Sequence, residues 1–141
     1  MSDPVDILFV KPGDHKQIYQ DLGDEFSAIE PPAFAGLFAT YSRLKKHRVA
    51  LFDIPAMKLS AEQAVKGILE NYDPLLVALT VYGLQPSAST QNMDSAGKVA
   101  RFIKEQRPDI KILMTGTHPA ALPSRTMFEE AVDFVCDLEG P

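Results

Sequence analysis

The sequence predicts an α/β protein built on a doubly wound, parallel sheet of five strands. Two observations support this fold class. Apolar runs of strand length alternate with helical patterns along the chain, which is typical of a parallel sheet with helices on both faces. Several of these runs are almost continuously apolar, as expected for strands covered on both sides. At 141 residues, the chain has the length of one domain.

The predicted strands are short runs rich in aliphatic and aromatic residues. In chain order they span residues 6–11, 48–53, 75–81, 110–115 and 133–136. Because each connection between them is long enough for a helix, we expect a flavodoxin-like or Rossmann-like sheet in the order 2-1-3-4-5.

The predicted helices lie between the strands and each has one apolar face. The first has apolar side chains at positions 34, 37, 38, 41 and 44, and the second at 61, 64, 65, 68 and 69. Ser60, with Gln63 three residues later, is a capping box that starts the second helix. The third has its apolar face at positions 93, 96, 100 and 103 and ends before Pro108. A short fourth helix is expected over residues 124–131.

Charge and composition exclude several classes of function. The net charge of −5 argues against nucleic-acid binding, which relies on a basic surface. No apolar run approaches the roughly 20 residues of a membrane span, and the N-terminus lacks the pattern of a signal peptide. We therefore expect a cytoplasmic protein with no membrane partner. The single cysteine, Cys136, excludes an internal disulfide and cannot alone hold zinc or an iron–sulfur cluster.

Three segments follow strands at the edge of the sheet where ligands bind in this class of fold. In doubly wound sheets that edge is formed by the carboxyl ends of the strands, beside the first strand. The segments are residues 12–23, 80–89 and 116–123, and all are rich in Gly, Pro, Ser and Thr. The sequence therefore predicts a ligand site formed by these three segments.

The order of several motifs indicates a family. The stretches are DILFVKPG (6–13), EPPAFAGLFATYSRLKKHRVALFD (30–53), LLVALTVYG (75–83), TGTHPAALP (115–123) and VDFVCDLEGP (132–141). Taken together, the whole chain resembles the N-terminal cobalamin-binding domain of class B radical SAM enzymes, a group that includes cobalamin-dependent methyltransferases. The resemblance implies that residues 1–141 form a cobalamin-binding module from the N-terminal part of a longer enzyme.

The resemblance also implies how the cofactors are divided. Related cobalamin domains carry D-x-H-x-x-G, whose histidine binds cobalt, but here Asp14 and His15 are adjacent and no glycine follows at the required spacing. Radical SAM relatives commonly bind cobalamin without such a ligand, so we expect no protein ligand to the metal. S-adenosylmethionine and the [4Fe–4S] cluster would be bound by a following radical SAM domain of the parent chain. No catalytic residue is expected in this fragment.

Eight residues are the candidate cofactor contacts. They are Pro12, Gly13, Thr80, Tyr82, Gly116, Thr117, His118 and Pro119. A flat aromatic tail entering between strand ends needs backbone without a Cβ atom, which Gly116 supplies. The hydroxyls of Thr80 and Thr117 can hydrogen-bond the ring nitrogen, ribose or phosphate of that tail. His118 can contact the corrin or its amides.

Other interpretations start from the same topology. A receiver domain needs an aspartate at the end of the third strand, and none is present there. Residues 11–20 match a flavodoxin phosphate loop poorly. Asp53 ends a strand where nucleotide-binding sheets place an acid, but without G-x-G-x-x-G we expect it to cap or turn the chain. The remaining alternative is a degenerate flavodoxin-like module without cofactor, used for protein–protein contacts.

Overall fold

The computed structural model describes residues 1–13, 29–83 and 85–138. Five strands form one parallel sheet in the order β2-β1-β3-β4-β5, which confirms the predicted fold. The strands are β1 (Asp3–Lys11), β2 (Val49–Asp53), β3 (Tyr72–Val81), β4 (Lys111–Gly116) and β5 (Phe134–Val135). The helices are α1 (Ala33–Leu44), α2 (Ile54–Met57), α3 (Ala61–Asn71), α4 (Pro86–Gln106), α5 (Thr117–Ala121) and α6 (Pro123–Glu129).

The strand register brings the carboxyl ends of β1, β3 and β4 to one edge. Val10 pairs with Leu79 across β1 and β3, and Val81 pairs with Gly116 across β3 and β4. The three predicted binding segments therefore begin at neighbouring positions. No helix in the described ranges is long and apolar enough to cross a membrane.

The helix predictions are confirmed in part. Ser60 and Gln63 form the predicted capping box at the start of α3. Asp53 accepts a hydrogen bond from the Ala56 backbone N–H and caps α2, as expected for a capping residue. The short helices α2 and α5 were not predicted.

The start of the helix after β3 was not predicted, and it lies inside the predicted binding segment 80–89. The helix after β3 begins at Pro86, so Ser89 lies inside its first turns. Proline is favoured at the first helical position, where its missing N–H would have no helical partner anyway. The start was missed because these turns bury polar side chains rather than the apolar ones that periodicity detects.

The core has two layers on opposite faces of the sheet. Under α3 and α4, residues such as Leu8, Val10, Leu79 and Ile103 are fully buried. On the other face, α1 packs Ala35, Phe38 and Ala39 against Phe9 and Ala78 of the strands. Successive strand residues point to opposite faces, which explains why Phe9 and its neighbour Val10 belong to different layers. The start of α1 and the start of α4 thus flank the same edge of the sheet from opposite sides.

Candidate functional site

A cleft lies at the carboxyl ends of β1 and β3, on the α1 side of the sheet. Its cavity volume is about 40 Å³. Lys11, Thr80 and Tyr82 line it from the strands, and residues 30–35 line it from the start of α1. Two of the eight predicted contacts, Thr80 and Tyr82, therefore share one cavity.

Aromatic rings form one wall of the cleft. The rings of Phe34 and Tyr82 stack with centroids 4.3 Å apart and an interplanar angle of 17°, while Phe38 meets Tyr82 edge-on at 5.9 Å. Phe34 remains 43% exposed, so the stack reaches the mouth of the cleft. The wall offers a flat apolar surface on which a planar group can stack.

Hydroxyl groups lie beside this wall. The Tyr82 hydroxyl is 3.3 Å from the hydroxyl of Thr115, which is itself buried. Thr80 is also buried, and its hydroxyl donates to the Val10 carbonyl at 3.0 Å. Because that proton is used within the sheet, Thr80 can offer a ligand only its acceptor lone pairs.

Lys11 is a cleft residue that the sequence analysis missed. It is the last residue of β1, its side chain is buried, and its ammonium donates to the backbone carbonyl of Glu30. In the sequence it was assigned only as the end of an apolar strand. A charged residue that ends an otherwise apolar strand at the binding edge is the signal that could have identified it.

A second group of predicted residues lies on the α4 side of the edge. The backbone N–H of Gly13 donates to the buried Ser95 hydroxyl at 3.0 Å. Gly13 has a φ of +155°, and a Cβ atom there would lie 2.8 Å from Cγ of Pro55. Its predecessor Pro12 is buried. Gly13 is therefore hydrogen-bonded to α4 and lies close to Pro55 of α2.

His118 is held by the first turns of α4. Its backbone N–H donates to the Ser89 hydroxyl at 3.0 Å, and its Nδ1 lies 2.9 Å from the hydroxyl of Thr90. Ser89 in turn donates to the Val81 carbonyl. The imidazole thus lies on the α4 side, whereas the cleft lies on the α1 side. Pro119 beside it is buried and Thr117 is exposed.

We call Ser89, Thr90, Asn92 and Ser95 of α4 the polar seam. Ser89, Asn92 and Ser95 are buried, and the seam joins the segments that follow β1, β3 and β4. The sequence analysis did not identify these residues as functional. Their spacing of three residues from 89 to 92 to 95 on one helical face was the available signal.

The structure explains the glycine at position 116 differently from the sequence analysis. Gly116 has a φ of +153°, and a Cβ atom there would overlap the backbone carbonyl of Val81 in the neighbouring strand. The absence of a side chain is therefore required by the contact between β3 and β4. That Gly116 also contacts a cofactor stays a prediction.

The remaining candidates are placed as follows. Asp14 and His15 lie outside the described residues. Cys136 is half-buried, and its thiol lies 3.3 Å from the Leu138 carbonyl. Within the described ranges, no three His, Cys, Asp or Glu side chains are grouped closely enough to hold a metal ion.

Comparison with known proteins gives a family and a fold. The model of the B12 binding domain family matches residues 20–141. A structure of the radical S-adenosylmethionine methyltransferase TsrM from Kitasatospora setae, with cobalamin and a [4Fe-4S] cluster bound, is 16% identical with a TM-score of 0.59. It aligns with 91% of this chain, which spans 22% of that chain. A second TsrM structure, with tryptophan substrate and the SAM analog aza-SAM bound, is 15% identical with a TM-score of 0.57, over 90% of this chain and 22% of that one.

Proposed function

The chain belongs to the B12-binding domain family, and from this premise we propose that it binds cobalamin at the carboxyl ends of β1, β3 and β4. The observation that carries the proposal is the cleft itself. It combines a flat aromatic wall, buried hydroxyls and a buried ammonium at the edge where such sheets bind ligands. The nucleotide tail of cobalamin has matching parts, namely a flat benzimidazole, a ribose and a phosphate diester.

The residues of the cleft fit that tail by their chemistry. Phe34 and Tyr82 offer stacking surface for the base, Thr80 lines the same cleft, and the Thr115 hydroxyl lies within hydrogen-bond distance of Tyr82. Gly13 and His118 are fixed on the other side of the edge by the polar seam. When bound, cobalamin supplies a cobalt centre that can carry a methyl group. The role of this chain is to hold and orient the cofactor.

We further propose that the chain is part of a radical SAM enzyme of the methyltransferase type. The likeness of fold to TsrM and the short span of that chain covered here support the proposal. The chain has one cysteine, so it cannot itself supply the three thiolates of a C-x-x-x-C-x-x-C cluster site. The cluster and S-adenosylmethionine would be bound by a following domain of the parent chain. A complete gene product without that motif would contradict the assignment.

Retention of the coloured ligand tests cobalamin binding. Protein mixed with hydroxocobalamin and passed through gel filtration should elute with the absorbance of the corrin, whereas FMN, NAD and ATP should separate from it. Retention of FMN instead would mean that the fold prediction was right and the ligand wrong. If none of the four ligands elutes with the protein, the alternative of a degenerate module that acts only in protein–protein contacts is favoured.

A further inference from the structure

We propose that Lys11 is an anion-binding residue of the cleft and that its ligand is a phosphate ester. The assignment of that ester to the nucleotide tail of cobalamin rests on the proposed function. The anion site itself rests on three features of the cleft: a buried ammonium, the backbone N–H groups in the first turn of α1 and an adjoining aromatic wall.

The first feature is a buried ammonium that forms no ion pair with an acidic side chain of the described residues. Lys11 is 8% exposed, and its described hydrogen bond goes to the neutral carbonyl of Glu30. No ion pair joins it to an acidic side chain within residues 1–13, 29–83 and 85–138. A lysine ammonium has three N–H donors, and burying it without a charged partner is unfavourable. An anion in the cleft would supply that partner.

The second feature is the start of α1, which forms the facing wall. The N–H groups of Ala33 and Gly36 are bonded to the carbonyls of Pro31 and Pro32. Those of Phe34 and Ala35 fall in the first turn, where a helix provides no acceptor, and no side chain among the described residues caps this end. Both residues line the cleft. The helix dipole adds to the attraction of these N–H groups for an anion.

The third feature selects the class of anion. The Phe34–Tyr82 stack and Lys11 line the same cleft, so a ligand that lies across its mouth can contact the rings and the ammonium together. A phosphate ester of a flat base has both parts, and inorganic phosphate has only the second. The two sources of phosphate can therefore be separated by experiment.

The main experiment compares cobalamin with cobinamide, which lacks the nucleotide tail and its phosphate. Lys11→Met should weaken hydroxocobalamin binding by about 10- to 100-fold, the contribution of a hydrogen bond to a charged group, and leave cobinamide binding unchanged. Lys66→Met, which removes an exposed lysine on α3, is the matched control and should change neither affinity. Equal losses for both ligands, or no loss for either, would overturn the phosphate assignment.

Two further measurements keep the result interpretable. Lys11→Arg should restore most of the affinity for cobalamin, because it keeps a positive charge at the same position. In the unmodified protein, inorganic phosphate but not chloride should shift the amide NMR signals of Phe34 and Ala35. Unshifted signals would contradict the anion site. If phosphate shifts these signals but the protein does not bind cobalamin, the anion site is supported and the proposed function is contradicted. If the protein binds cobalamin with the same affinity after substitution of Lys11, the proposed function is supported and the anion site is contradicted.

Discussion

At the scale of single residues, the two glycines with positive φ at the binding edge are required by contacts within the protein. A Cβ atom at Gly116 would overlap the carbonyl of Val81, and a Cβ atom at Gly13 would lie too close to the ring of Pro55. Both lie at φ values that other residues rarely adopt. These positions therefore shape the edge of the sheet before any ligand is bound.

Gly116→Ala should destabilise the protein by at least about 2 kcal/mol, because the new Cβ overlaps a strand carbonyl at an unfavourable φ. The free energy of unfolding is measured by urea titration. Gly36→Ala is the matched control, since a Cβ there meets nothing within 4 Å and lies in a helix. That control should stabilise the protein by about 0.5–1 kcal/mol. Unchanged stability of Gly116→Ala would show that the strands can separate at little cost.

His118→Ala should leave the visible spectrum of bound cobalamin essentially unchanged. Its Nδ1 is engaged with Thr90, and the ring lies on the α4 side, away from the cleft. The comparison is between absorption spectra of the two cobalamin complexes under identical conditions. A clear displacement of the corrin bands in the variant would identify His118 as a cobalt ligand. It would contradict the expectation that no protein side chain ligates the cobalt.

At the scale of elements, the side chain of Glu130, which follows α6, lies against Gly97 of α4. The carboxylate of Glu130, at the end of α6, occupies the place that a side chain at position 97 would need. Burial raises the pKa of Glu130, and the nearby charge of Arg101 only partly offsets this effect. Ionised Glu130 is therefore less favourable in the folded protein than in the unfolded chain.

Glu130→Gln should accordingly stabilise the protein at pH 7. A raised pKa means that the folded state binds this proton more tightly, so the penalty is present above the folded pKa and disappears as pH falls below the ordinary glutamate pKa of 4.5. Urea titrations should show that the variant has a larger free energy of unfolding than the unmodified protein at pH 7 and a nearly equal one at pH 4. Glu105→Gln, at an exposed position on α4, is the control. A gain of equal size at both pH values would exclude ionisation as its cause.

The elements also show which features could be predicted from sequence. The strands were found because long apolar runs report burial on both faces, and α3 was found because Ser60 and Gln63 form a local capping signal. The start of α4 was missed because its first turns bury Ser89, Asn92 and Ser95, and the hydroxyls of Ser89 and Ser95 bond the distant residues His118 and Gly13. The position of Lys11 in the cleft was missed for a similar reason, since its ammonium contacts the carbonyl of Glu30, 19 residues later in the chain. The local spacing of apolar residues does not reveal contacts between segments that are distant in the sequence.

At the scale of the whole molecule, the two faces of the sheet contribute different parts of the candidate site. The α4 side fixes the ends of β1, β3 and β4 through the polar seam, and the α1 side forms the cleft. In the described part of the chain, α1 is the helix that covers that second face, and Phe134 of β5 remains half exposed. A rigid seam on one side and an open cleft on the other suit a module that binds a large cofactor across its edge.

Thermal unfolding by calorimetry, with and without hydroxocobalamin, tests cobalamin binding most directly. A ligand that binds only the folded state stabilises it by about 2.7 kcal/mol at a hundredfold excess over Kd. Since each kcal/mol moves the Tm of a domain near this size by roughly 2–4 °C, saturating cobalamin should raise the Tm by roughly 5–10 °C, and FMN, NAD and ATP should have little effect. An unchanged Tm with cobalamin, or a rise with FMN in its place, would contradict the assignment.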